Sequence, residues 1–182
     1  MVVWLEGTSA PYMVYAEYYD SSTGWTLTTT PLETDVNGVS ITNIPQLGMD
    51  GDGNAIAIWR AAPTGGNDRL RYSRYNGTSW GTPGNVDNGF SDSFEASLAM
   101  DSEGHAIVVW REYADAMASV YSTWANRYRA GAGWTGPVLL ESDETASISA
   151  PEVNMDYNGN AAVVWLQDQG LGYNTTWSAR FE

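Results

Sequence analysis

One twelve-residue motif occurs three times, as "MDGDGNAIAIWR" (49–60), "MDSEGHAIVVWR" (100–111) and "MDYNGNAAVVWL" (155–166), and the opening "MVVWLE" repeats its tail. The marker tryptophans Trp4, Trp59, Trp110 and Trp165 therefore stand 55, 51 and 55 residues apart. A second landmark follows the first three by 21 to 24 residues: "YYDSSTGW" ends at Trp25, "RYNGTSW" at Trp80 and "RYRAGAGW" at Trp134. A period near 50 residues belongs to supersecondary units that bury their apolar faces against one another, so this feature limits the fold more than any other.

Each period reads as four short strands, placed in the second unit at 44–50, 54–62, 70–75 and 79–86. The first two are joined by Asp, two free residues and Gly: Asp50 to Gly53, Asp101 to Gly104, Asp156 to Gly159. That is the chemistry of a type I turn closed by a glycine bulge, with Asp accepting backbone hydrogen bonds and Gly supplying positive φ. The second strand is apolar on both faces, since Ala106, Val108 and Trp110 alternate with Ile107 and Val109. Such a strand must be covered from two sides.

Repeated four-stranded antiparallel units, each sandwiched by its neighbours, predict an all-β chain folded as a β-propeller. About four blades are expected in a single domain, with units near 1–43, 44–95, 96–149 and 150–182 and with the first and last incomplete. The units count to fourteen strands, and edges left open at both ends predict self-association, because unpaired strands template pairing.

Composition agrees. The 182 residues suffice for a substantial core. Nine Trp, 11 Tyr and 19 Gly suit short strands and tight turns, and no sustained 3.6-residue apolar stripe predicts a helix. The formal charge is −14, and all 8 positive residues are Arg. That field repels phosphate backbones and anionic membrane surfaces, so no nucleic-acid partner is expected. The lack of Cys excludes disulfides and thiol chemistry. The start has neither a basic region nor a long apolar run, so no signal peptide is expected. A secreted or periplasmic address would require a leader removed upstream. No stretch approaches a membrane span in length.

The first motif opens with Asp50, Asp52 and Asn54 alternating around glycines, like a calcium loop. A calcium-binding hand carries glycine at position six and a bidentate Glu at twelve, whereas here Gly53 is fourth and Ala61 twelfth. The sister segments "DSEGH" and "DYNGN" keep what a turn needs and vary the would-be ligands. Beyond a weak calcium reading at Asp50 and Asp52 no metal site is assigned, and no cofactor is expected. His105 is the sole histidine and stands where sister units have Asn54 and Asn160, which marks a turn residue. No catalytic residue is assigned.

The Gly-Trp hairpins between third and fourth strands resemble degenerate Asp-box turns of sialidase-like propellers, "YDSSTGWT" (19–26) being the nearest match. The aromatic-rich short repeats are also similar to those of small fucose-binding lectins. The resemblance implies a bacterial-type propeller fold rather than an activity. The arginine cluster and Tyr/Glu nucleophile pair of true sialidases have no counterpart that spacing identifies. Arg60 and Arg111 occupy equivalent repeat positions, and the other units have Glu6 or Leu166 nearby.

Tight turns fall at one end of such a fold. The links at the other end are long and unlike one another: 6–12, 62–69, 112–120 and 167–173, with further links at 33–43, 86–95 and 141–150. Variable loops on a rigid scaffold are where recognition resides. The third strand offers Tyr15, Arg71, Trp124 and Trp177 at one repeat position, and the second strand ends in Arg60 and Arg111. Planar rings and guanidinium groups stack on sugars or pack a peptide, and the plainer alternative is that they fill the wedge between blades. The expectation is a non-catalytic binding or scaffold module for a glycan or a protein. The alternatives are a sialidase-like glycoside hydrolase with atypical catalytic residues and a structural fragment completed by other chains.

Overall fold

Trp59, Trp110 and Trp165 each lie on a strand flanked on both sides within an antiparallel sheet, and Trp4 lies on a two-stranded one. The computed structural model describes residues 1–7, 12–26, 30–33, 44–62, 66–114, 120–141, 149–168 and 173–182. In the first unit β1 (Val2–Glu6) pairs β2 (Met13–Glu17), and β3 (Tyr19–Asp20) pairs β4 (Gly24–Trp25). The second is a four-stranded sheet in the order β5 (Gln46–Met49), β6 (Ala55–Ala61), β7 (Arg69–Tyr75), β8 (Gly84–Asn85). In the third, β9 (Ser93–Met100), β10 (Ala106–Tyr113) and β11 (Tyr121–Arg129) run in order, and β12 (Gly133–Trp134) and β13 (Val138–Leu139) both pair β11. The last holds β14 (Glu152–Met155), β15 (Ala161–Asp168) and β16 (Asn174–Phe181). The architecture is all-β and of the propeller type, with no helix among the described residues.

The Asp-x-x-Gly links form as the sequence predicts. Gly53, Gly104 and Gly159 take φ of +84°, +89° and +81°, a region that a side chain disfavours. Asp50 Oδ1 accepts from the Asp52 and Asn54 amides at 2.9 Å, and its Oδ2 accepts from Asn54 Nδ2 at 2.7 Å. Asp156 repeats this with Asn158 and Asn160. In the third unit the amides of Glu103 and His105 donate to Asp101 Oδ1, and His105 Nδ1 stands 3.0 Å from Asp101 Oδ2. The imidazole copies the asparagine amide, so turn chemistry accounts for the calcium-like spacing. We expect His105→Asn to change unfolding free energy by less than ~0.5 kcal/mol, and His105→Ala to lower it by about 1 kcal/mol, in urea titrations. A loss on His105→Asn equal to that on His105→Ala would sink the equivalence.

Packing follows the two-faced strands. Ile56, Ile58, Leu70 and Val86 meet Ala106, Val108 and Trp110 in one cluster. On the other side of β10, Ile107 and Val109 meet Val153, Val163 and Trp165. Val14 and Ala16 pack on Ala57, Trp59 and Ala61. The first strands of consecutive sheets lie side by side. Gln46 bridges two of them, its Nε2 donating to the Ala96 carbonyl at 2.6 Å and its Oε1 accepting from the Leu98 amide at 2.8 Å. Ser97 Oγ donates to Glu152 Oε2 at 2.9 Å across the next pair. At Gly48 the approach is so close that a Cβ would stand 2.8 Å from Met100 Cβ.

Three expectations need correction. Two-sided cover holds for β6 and β10 but not for β15, where Val164 is 44% and Leu166 40% exposed because no described sheet lies on that side. The predicted fourth strand at 79–86 shrinks to β8 plus an isolated Trp80–Tyr75 bridge, and its counterpart in the third unit divides into β12 and β13. Pro83 and Pro137 interrupt these outer segments, since proline gives a ladder no N–H. In the first unit the third strand divides into β2 and β3, so the described residues hold sixteen strands where fourteen were counted. Finally, residues 93–95 and 112–113, read as links, belong to β9 and β10.

Candidate functional site

The pairing registers set Trp4 opposite Tyr15, Trp59 opposite Arg71, Trp110 opposite Trp124 and Trp165 opposite Trp177. The four third-strand residues therefore do share one repeat position, yet their surroundings differ. Tyr15 stacks on Trp4 with ring centroids 5.7 Å apart. Arg71 Nε donates to Glu33 at 2.8 Å and its Nη1 to Asn85 Oδ1 at 2.7 Å. Trp124 is half-buried against the core of the second and third sheets. Trp177 is 47% exposed and donates to Thr175 Oγ1 at 3.0 Å.

The two second-strand arginines sit between ions and rings. Arg60 pairs with Asp68 and lies 4.4 Å over the Phe94 ring; Arg111 pairs with Glu95 and lies 4.3 Å over Tyr121. Burial pushes the Asp68 carboxyl up, against the pull of Arg60. Glu95 adopts φ +42° where the β9–β10 register shifts between Val109 and Arg111, and that bulge accompanies its pairing with Arg111. Both guanidinium groups thus tie the start of β9 to its neighbours. Of the variable links, 8–11, 34–43, 63–65, 115–119, 142–148 and 169–172 lie outside the described residues.

The link from β8 to β9 is described throughout, and it walls a cavity. Its anchor is Asp87, which accepts from Arg69 Nε at 2.7 Å, from the Leu70 amide at 2.6 Å and from Ser93 Oγ at 2.6 Å. Asn126 Nδ2 adds a bond to the Val86 carbonyl at 2.8 Å. So pinned, the link sets Asn88 and Phe90 opposite the end of β10, where Glu112, Tyr113 and Ala114 lie. Ser122 and Trp124 of β11 and Leu139 of β13 complete a half-open cavity of about 220 Å³. Small-molecule pockets run to about 300–1,000 Å³, so this one has room for a single ring-sized group.

Glu112 is 1% exposed. Its Oε2 accepts from Trp110 Nε1 at 3.1 Å and its Oε1 from the Ser91 amide at 3.2 Å. Burial pushes its carboxyl above the usual glutamate range; the Trp110 and Ser91 donors oppose this, and the Asp87 charge adds to it. The folded state therefore binds this proton at a higher pH than the unfolded chain does. Between the ordinary glutamate range and the raised value, stability is expected to fall as pH rises, and Glu112→Gln to flatten that slope in urea titrations run across pH. An unchanged slope in Glu112→Gln would contradict this assignment.

Sequence reasoning missed Glu112, Asn88 and Phe90. The signal was present as Trp-x-Glu, which recurs as Trp4 to Glu6 and Trp110 to Glu112, with Gln167 in the last unit and Ala61 in the second. Trp4 Nε1 likewise donates to Glu6, at 3.3 Å. Because β6 forms with Ala61 at this position, the sheet does not require a carboxylate there.

The fold is similar to that of three carbohydrate-active enzymes. A Hadza microbial sialidase matches with a TM-score of 0.59 and 10% identity, over 95% of this chain and 42% of that one. A polysaccharide lyase described as an ulvan lyase matches at 0.55 and 12%, over 94% and 46%. The endo-arabinase from Bacteroides thetaiotaomicron matches at 0.54 and 12%, over 97% and 69%. At such identity the likeness is one of fold, and it agrees with the propeller reading. The chain spans less than half the length of the sialidase and of the lyase. No family model and no curated protein matches the sequence.

Proposed function

We propose that the chain is a non-catalytic glycan-binding module whose ligand seats in the cavity between the β8–β9 link and the end of β10. Residues 1–182 serve in this reading as one propeller domain, its repeat units the scaffold for that cavity. The observation that carries it is the wall itself: Trp124 and Phe90 supply rings, while Asn88, Ser122 and Glu112 supply hydrogen-bonding groups. A sugar presents both a C–H face that packs on rings and hydroxyls that need partners, and a small apolar pocket with a few convergent polar groups suits it. The carbohydrate-active enzymes of the same fold add support.

A second reading, glycoside hydrolysis, draws on one observation: a buried glutamate with a raised carboxyl at a cavity is the form a general acid takes. Glycosidases ordinarily need a second carboxylate for the opposite role. Asp87, the acid whose charge acts on Glu112, already holds three donors, and this favours binding without turnover. Turnover of a 4-methylumbelliferyl glycoside panel, lost in Glu112→Gln, would establish the hydrolase instead.

Binding is tested on a glycan array followed by calorimetry. Trp124→Ala should weaken the best ligand by roughly 30-fold, the scale of about 2 kcal/mol for an aromatic anchor, while Trp124→Phe keeps most of the affinity. Urea titration confirms that each variant is folded. A blank array defeats the glycan reading.

A further inference from the structure

Resting on that reading, we infer that the cavity accepts uncharged sugar rings and rejects anionic ones, uronic and sialic acids included. Among the described residues its lining holds one carboxylate, Glu112, and no arginine, and the chain contains no Lys. The arginines of the neighbouring strands serve carboxylates elsewhere: Arg69 serves Asp87, Arg71 serves Glu33 and Arg111 serves Glu95.

Glu112 is built to be an acceptor. Trp110 Nε1 and the Ser91 amide donate to its two oxygens, and with the residue 1% exposed only a hydroxyl donor seated directly on the cavity wall reaches a remaining lone pair. A neutral sugar supplies such donors, and a hydrogen bond to a carboxylate is a strong one. A ligand carboxylate supplies none. It would instead set a second negative charge beside a poorly hydrated first one, where repulsion is stronger than in water. Asp87 adds a third carboxylate whose charge already acts on Glu112. At longer range the formal charge of −14 slows the approach of acidic polymers.

The test uses the full chain and three probes of one configuration: methyl glucoside, methyl glucuronide and the methyl ester of that glucuronide, with the galactose and mannose sets alongside. Affinities are read by calorimetry and ligand-observed NMR. The neutral glycoside should bind at least ~10-fold tighter than its uronate, with the ester recovering to within ~3-fold of the neutral sugar, because esterification removes the charge at the cost of one added methyl group. Glu112→Gln should raise uronate affinity at least ~5-fold while its melting profile reports folding. If that variant fails to fold, the ester series still decides. A uronate that binds as tightly as the neutral sugar, or an ester no better than its acid, overturns the inference and leaves glycan binding intact. Failure of every sugar to bind overturns the glycan reading itself, and the inference with it.

Discussion

Trp110→Ala is expected to lower the unfolding free energy by about 3–5 kcal/mol, the range for removing a large aromatic from a packed interior. Trp110 is fully buried in the cluster that joins the second and third sheets, so the vacated space would open between sheets rather than at a surface that can close over it. A second loss adds to the first. The indole N–H is one of the two donors to Glu112, and its removal leaves a buried oxygen without a partner. Leaving a buried polar group unpaired costs about 1–3 kcal/mol, more when it is charged. Trp110→Phe separates the terms, since it keeps most of the volume and loses the N–H. Urea unfolding of both variants at one pH gives the comparison. A midpoint for Trp110→Ala indistinguishable from the parent would contradict the inter-sheet role assigned to this residue.

Asp87→Ala should cost about 3 kcal/mol, although it removes few apolar atoms. The side chain is fully buried and serves three donors from two elements, namely Arg69 Nε, the Leu70 amide and Ser93 Oγ. Two of these stay buried once the carboxylate is gone, whereas Arg69, with its side chain 23% exposed, can turn to water, so the cost stays near three. The binding consequence is separate from the stability one. The link that Asp87 pins carries Asn88 and Phe90 into the cavity, so ligand affinity should fall well beyond any unfolded fraction. Asp87→Asn keeps two acceptor sites on one oxygen and should fall between parent and alanine. Full affinity in a folded Asp87→Ala protein would show that the link needs no anchor.

The repeat strands and their turns were legible because their determinants are local. An Asp that caps the amides two and four residues on, a Gly at positive φ and a strand alternating about a tryptophan are all contained in the twelve residues of one motif. The same logic made Tyr15, Arg71, Trp124 and Trp177 equivalent, since a hairpin register transfers from one repeat to the next. What each of the four does was not legible. Arg71 finds Glu33 from a segment 38 residues away, and Trp124 comes to line the same cavity as Phe90 of the β8–β9 link. The outer strands were over-read because proline and edge exposure weaken pairing in ways the period does not record.

By itself, then, the sequence determined the period, the turns, the apolar character of each second strand and a formal charge of −14. Only the tertiary structure decided which carboxylates are spent on turns and links and that Glu112 lines the cavity beside the β8–β9 link. Asp50, Asp101 and Asp156 are spent on their own turns, and Asp87 is spent on Arg69, Leu70 and Ser93. Glu112 lines the cavity because Ser91, 21 residues earlier, and Asn88 and Phe90 are folded back over the end of β10. The physical reason is range. A turn is closed by hydrogen bonds within four residues, whereas a cavity is the space left where segments distant in the chain fail to touch.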